Sequence, residues 1–283
     1  MCAELLNDFG GVCQSIDGIP FKLKSPFDFN FICQYGRVFK VYDDQDSGNI
    51  CFGTKKEGKR FFVKFAGAPV KRYGGKPEDA IARLKASVPL YRDLRHENLI
   101  ELVDAQKIGG GFAMVFAWED GDCMGRMYPQ AHERFMKLPL SARLTVFRDV
   151  LCFLEYTAAK GYVAVDFYDG SILYDFKTGK TTVCDIDFFR KQPCVNDMGR
   201  MWGSSLFQSP EEYELGAAID EVTNVYTVGA TAFALFGNYG RAREQWELGD
   251  PCFAVAERAV KKERSLRQPS IAQFRREWEK ALE

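Results

Sequence analysis

The chain has 283 residues, 46% of them hydrophobic, enough for two modest cores and too long for one small lobe. Its 38 basic and 39 acidic residues leave a net charge of −1, so no global field draws it to nucleic acid or an anionic membrane. Nine scattered cysteines form neither a Cys-x-x-Cys pair nor zinc-finger spacing with the two histidines, and read as free thiols of a reducing, cytoplasmic compartment without structural zinc.

In chain order, the opening "MCAELLNDFG" carries acidic residues and no long apolar run, unlike a secretory signal. No stretch reaches the roughly 18 uncharged apolar residues of a membrane span. Residues 29–65 alternate aromatic and β-branched runs ("FICQYGRVFKVY", "NICFGTK", "RFFVKFA") with the turn clusters "DDQDSGN" and "KKEGK", the pattern of an antiparallel meander. "PEDAIARLKASVPLYRDL" has helical spacing interrupted at Pro89, and "LIELVDAQKIGGGFAMVFAW" reads as two strands about a glycine turn. The polar "EDGDCMG" follows the last strand of this first domain, residues 1–117; residues 118–283 make the second. There "SARLTVFRDVLCFLEYTAAKGY" repeats apolar residues at three- and four-residue steps, with Ser141 as N-cap and Gly161 as stop. Further helices fall around 219–236, 253–262 and 270–282. The expectation is an α+β fold of two lobes, one small and antiparallel, the other larger and mainly helical.

Residues 161–189, "GYVAVDFYDGSILYDFKTGKTTVCDIDFF", hold five aspartates in an apolar stretch, of which Asp166, Asp169 and Asp187 stand where strands meet loops. They read as a helix exit, a loop with Asp166 and Asp169, a strand, a "KTG" turn, and a second strand presenting Asp187 at its end. On the residues alone these acids are turn formers and a strand-end cap, or carboxylates projecting beside one cleft. Lys64, in the alternating apolar "FFVKF", is either a strand lysine snorkelling to water or a cation kept for an anionic ligand.

From about residue 40 onward the chain resembles the protein kinase family, as a divergent Ser/Thr-directed member. "EYTAAKGYVAVDFYDGSIL" is similar to the helix and catalytic loop E-Y-L-H-S-K-G-I-x-H-R-D-L-K-P-E-N-I-L, and "IDFF" stands at Asp-Phe-Gly. "GSSLFQSPEE" is similar to Gly-Thr-x-x-Tyr-x-Ala-Pro-Glu, "NVYTVG" to Asp-Val-Tyr-Ser-Leu-Gly, and "KKERSLRQPS" to the late x-Pro-x-x-Arg-x-Ser motif. The resemblance implies ATP and Mg2+ as cofactors and a protein Ser/Thr hydroxyl as acceptor. It implies Asp166 as catalytic base, Lys64 on the phosphates, and Ser204 contacting the catalytic acid. Asp187 would hold magnesium with help from Ser171 or Asp169. Gly48 and Ile50 would flank the phosphates, Phe116 would be the gatekeeper, and backbone groups of Ala117, Trp118 and Glu119 would face adenine. Arg267 would pair with Glu211 and His96 would pack; His132, in "PQAHERF", reads from its own surroundings as a surface residue. These are the groups phosphoryl transfer needs: cations on the phosphates and a base aimed at the incoming hydroxyl.

The chain also departs from the pattern. The phosphate loop has two placements, Gly36 before Val38 or Gly48 before Ile50; Ile50 precedes Lys64 by 14 residues, which suits a hairpin, whereas Val38 precedes it by 26. The Gly48 loop carries Asp43, Asp44 and Asp46, and a carboxylate roughly 6 Å from a phosphate at an effective dielectric near 20 costs about 3 kcal/mol. A calcium loop is the other thought, but Thr54 stands where the bidentate glutamate belongs. Ser87 occupies the place of the helix glutamate that partners the lysine, Ala164 and Val165 replace His-Arg, Ser171 replaces the metal-binding asparagine, Asn224 a bracing aspartate, and Phe189 a glycine. The leading expectation is ATP- and magnesium-dependent phosphoryl transfer to protein Ser/Thr. The alternatives are a pseudokinase acting as a binding module and a small-molecule phosphotransferase, the latter disfavoured by "SPE" with its arginine.

Overall fold

A computed structural model describes residues 11–283; the stretch "MCAELLNDFG" lies outside the described residues. The fold is α+β, with antiparallel sheets and several helices. It divides into two compact units, one running to Asp93 and including Ile100–Trp118, the other comprising Leu94–Leu99 and Glu119–Glu283. Among the described residues no helix is long and apolar enough to cross a membrane, and the eight cysteines there are free thiols.

The first unit opens with a hairpin, β1 (Val12–Ile16) and β2 (Ile19–Leu23), and a 3-10 turn, Asn30–Tyr35. The meander follows as β3 (Arg37–Tyr42), β4 (Asn49–Lys56) and β5 (Lys59–Ala66), then helix α1 (Pro77–Asp93), then β6 (Leu102–Ile108) and β7 (Gly111–Ala117). The five strands β3 to β7 pair antiparallel in the order β3-β4-β5-β7-β6.

Side-chain alternation gives this sheet two different faces. One carries Ile50, Phe52, Val63, Phe65, Ala113 and Val115, buried with Phe21 and Phe29 of the N-terminal segment. Phe29 meets Phe52 with ring centroids 5.2 Å apart, and Phe31 meets Phe65 at 4.8 Å. The other face carries Lys64, directly opposite Cys51 on β4 and Met114 on β7. Helix α1 packs there, with Tyr91 edge-on to Phe116 at 4.9 Å. It runs unbroken through Pro89, against the expected interruption. Burying Leu84, Val88, Leu90 and Tyr91, at roughly 1.5–3 kcal/mol for a large apolar side chain, outweighs the ~3 kcal/mol an interior proline costs.

The second unit contains β8 (Asp122–Cys123), α2 (Pro129–Met136), α3 (Leu140–Ala159), β9 (Tyr162–Val163), β10 (Ile172–Tyr174), β11 (Thr181–Val183), β12 (Arg190–Lys191), β13 (Cys194–Val195), β14 (Ala218–Ile219), α4 (Glu221–Gly237), α5 (Asp250–Ala259) and α6 (Ile271–Ala281). Its core is an aromatic stack in which Phe147 of α3 meets Phe236 of α4 and Phe274 and Trp278 of α6. Asp220 caps α4 by accepting from Val222 N at 2.9 Å, and Ser270 caps α6 by accepting from Gln273 N at 3.1 Å. The N-cap of α3 is Pro139 rather than Ser141, which already lies in the first turn, where its carbonyl accepts from the Thr145 hydroxyl at 3.1 Å.

Candidate functional site

In the second unit, α3 ends at Ala159 and Gly161 turns the chain with φ 78° into β9, which pairs with β12. Just beyond β9, Asn224 of α4 grips the backbone of Ala164: Oδ1 accepts from Ala164 N at 2.6 Å and Nδ2 donates to Ala164 O at 2.9 Å. Both residues are buried, so the amide satisfies two groups that water cannot reach. It does so where an aspartate would satisfy only the donor. Asp166 follows in the left-handed region, φ 62°, a conformation costing an L-residue roughly 1–2 kcal/mol. The braced loop holds that backbone in place, and the half-buried Asp166 emerges from it.

The loop runs into β10, whose register with β11 sets Ile172 opposite Val183. One step further Cys184 N donates to Ser171 O at 2.8 Å, after which Asp185 turns left-handed, φ 57°. The strand therefore ends at Val183 and not beyond Asp187. The acid at its exit is Asp185, which sequence reading passed over because the apolar alternation ran on to "IDFF". Ile186 anchors the turn, fully buried, and Asp187 sits half-buried after it. Ser171 is 1% exposed, and its Oγ bonds to no atom among the described residues. Burial, with the negative charges of Asp166 and Asp185, pushes the Tyr168 phenol far above its usual range. The Cys123 thiol is pushed up to about 12, by burial first and then by Asp169 and Asp185. The carboxylates of Asp166, Asp169 and Asp185 thus share one electrostatic neighbourhood.

Asp169 is turned to a different task from the expected metal ligation. It is 4% exposed and accepts a hydrogen bond at Oδ2 from the Tyr239 hydroxyl. Burial raises its pKa, against the lowering effect of Tyr239 and of His132. His132, expected on the surface, is half-buried in the same cluster, its Nε2 2.9 Å from Asn238 Oδ1 and its ring 5.2 Å from that of Tyr239. Helix α2, which carries it, was not anticipated. His96 packs as expected, against Phe153 and Tyr156 of α3.

The segment 190–213 is held by buried polar groups. Asn196 Nδ2 donates to Gly199 O at 2.5 Å and Glu211 O at 3.2 Å, and Gln208 Nε2 to Met201 O at 2.8 Å. Ser204 O opens a turn by accepting from Phe207 N and Gln208 N. Glu211 receives Arg267 at both oxygens, 2.7 and 2.9 Å, and Arg264 at 2.6 Å. Burial alone would raise the Glu211 carboxyl, but these guanidiniums hold it below its usual range. Glu212 instead accepts from Ser209 N and Oγ, and burial pushes it up to about 7.

In the first unit, residues 43–48 join β3 to β4, so Gly48 and not Gly36 belongs to the hairpin loop ahead of Lys64. Gly48 has φ +83°, and a Cβ there would strike Ala80 and Tyr73. Asp43 accepts from Lys22 N at 2.6 Å and Asp44 pairs with Arg72 at 2.6 Å, so two of the three loop carboxylates are already engaged. Ile50 faces away from Lys64, in the core under Phe21 and Phe29; the residue on the lysine's face is its neighbour Cys51. Ser87 is buried, with Oγ donating to Leu84 O at 2.9 Å and 3.4 Å from Met114 Sδ. Phe116 is buried, with its ring 6.4 Å from Phe62. Ala117 N donates to Glu101 O and Trp118 N to Arg60 O, so neither N–H is available to a ligand. In the second unit, the Glu119 carboxylate binds Lys180 at 2.7 and 2.9 Å.

No cluster of three or more His, Cys, Asp or Glu side chains able to hold a metal ion occurs among the described residues. No family model matches the chain, and no curated protein matches it.

Proposed function

We propose that the chain is a divergent protein kinase-like phosphotransferase acting on Ser/Thr hydroxyls of a protein substrate. The observation that carries the reading is the braced loop and its exit: Asn224 holds Ala164 beside Asp166, and the Cys184–Ser171 bond brings the unpartnered Ser171 Oγ next in register to Asp185. The strand order β3-β4-β5-β7-β6, with one helix on the lysine-bearing face and a helical unit following, supports a kinase-like two-lobed architecture.

Magnesium fits the donor set, since it takes hard oxygens and is usually held by one or two carboxylates while keeping several waters. Asp185 and Ser171 would hold it, with Asp169 left out because Tyr239 occupies it. A bound magnesium nucleotide supplies the phosphoryl group and the cation's charge. Lys64 contributes a positive charge for the phosphates. Asp166 accepts the proton of the acceptor hydroxyl, and Ser204 keeps the role the resemblance implies, a hydroxyl that contacts that acid. The Arg267–Glu211 bond holds the end of the segment that receives the acceptor chain, a reason to favour a protein over a small-molecule acceptor.

One observation favours a second reading, a binding module without transfer: the neutral Tyr168 stands where the quoted catalytic-loop motif H-R-D-L-K has its lysine. The deciding experiment is intact mass after incubation with ATP and magnesium, with and without a basic acceptor protein, alongside Asp166→Asn. Added phosphate that vanishes in Asp166→Asn is the expected result. No added phosphate, together with no thermal shift by ATP, would establish the binding module.

A further inference from the structure

The second unit has a pocket of about 320 Å³ lined by Ser205, Leu206, Tyr226, Ala230, Phe233, Tyr239 and Arg241. Its wall is the segment proposed above to receive the acceptor chain. Its floor comes from α4, where Tyr226, Ala230 and Phe233 are buried. The floor is therefore largely apolar, while Ser205, Arg241 and the two tyrosine hydroxyls supply polar atoms to the rest.

Its rim is cationic. Arg241 is exposed; its Nη1 donates to Tyr226 Oη at 2.9 Å and its Nη2 to Leu206 O at 3.3 Å, with the guanidinium 5.2 Å from the Tyr226 ring. A guanidinium has five N–H donors, so three remain, and no carboxylate among the described residues pairs with this one. A second exposed guanidinium, Arg126, lies 5.0 Å from the ring of Tyr239 but outside the pocket lining. No acidic side chain lines the pocket. The nearby Arg243, by contrast, is neutralised by Asp250.

An apolar floor with polar walls under a preorganised guanidinium that no carboxylate pairs suits a short methylene stem ending in a carboxylate. We propose that this pocket takes a glutamate or aspartate side chain of an extended peptide, with Arg241 as the residue that sets the preference; the peptide assignment rests on the acceptor-segment reading above. Arg241 is held in position by Tyr226 and the backbone of Leu206, so its fork is ordered before the ligand arrives.

The test uses the full chain and fluorescent serine peptides in which a Glu, Gln or Lys is moved one position at a time along either side of the serine. Binding is read by anisotropy, and phosphate transfer is followed in parallel. At one position the Glu peptide should bind about tenfold more tightly than its Gln partner. Arg241→Gln, which keeps a polar amide but removes the charge, should abolish that preference, and Arg241→Glu should turn it toward Lys. Equal binding of Glu and Gln peptides, no peptide binding at all, or a Glu preference surviving in Arg241→Gln would overturn the proposal. Transfer without a Glu preference removes this pocket's role while leaving the phosphotransferase. An Arg241-dependent Glu preference without transfer keeps the pocket and removes the phosphotransferase.

Discussion

Arg267 and Glu211 form a two-point bond, 2.7 and 2.9 Å, with side chains 0% and 5% exposed. It joins the turn ahead of α6 to the end of segment 190–213. Removing one partner of a buried pair strands the other's charge, which typically costs about 3–5 kcal/mol. Arg264 still reaches Glu211 at 2.6 Å, so Arg267→Ala should fall toward the lower end, near 3 kcal/mol. Denaturant unfolding checks the loss, and hydrogen exchange over 190–211 should accelerate. Unchanged exchange there would show that the pair does not hold the segment.

Glu212 makes stability depend on pH. Its folded pKa is raised by burial from 4.5 to about 7, so between those values the folded state keeps a proton that the unfolded state has released. This group's contribution is full below pH 4.5, falls as pH rises through that window, and is lost above about 7. Glu211, whose pKa is lowered, acts in the opposite sense below its unfolded value, so the two windows are separate. Glu212→Gln keeps an acceptor for Ser209 and should flatten the decline between pH 4.5 and about 7. An undiminished decline in urea midpoints would assign it to another group.

The two acids after β11 can be separated directly. Asp185→Asn should lower magnesium-dependent phosphate transfer by on the order of 10² or more, whereas Asp187→Asn should leave most of it. Intact mass over a magnesium titration reads both. The reverse ranking would return the metal to Asp187.

Asn224→Ala leaves Ala164 N–H and C=O buried without partners, each worth about 1–3 kcal/mol. A loss of at least about 2 kcal/mol is expected, with faster hydrogen exchange in residues 162–171. Asn224→Asp should recover part of it, because it restores the acceptor but not the donor. Equal stability of all three proteins would mean that the loop is held elsewhere.

Much was legible in order along the chain. The meander, the long α3 and the last three helices follow from hydrophobic period and turn residues, which are local properties. Arg267 and Glu211, 56 positions apart, were found only through the motifs around them. Three readings failed for one kind of reason. Ile50 and Cys51 are neighbours in sequence but lie on opposite faces of a sheet, and the pairing register alone says which one shares Lys64's side. The strand toward Asp187 was cut short by a backbone bond from Cys184 to Ser171 and a left-handed Asp185, neither of which a composition pattern displays. Asp169 looked like a free acid until Tyr239, 70 positions away, was seen to hold it. The sequence by itself determined most of the elements and the residue chemistry they carry. Which side chains are spent on internal bonds and which remain for a ligand was decided only by tertiary structure, because burial and long-range hydrogen bonding depend on contacts that no local window contains.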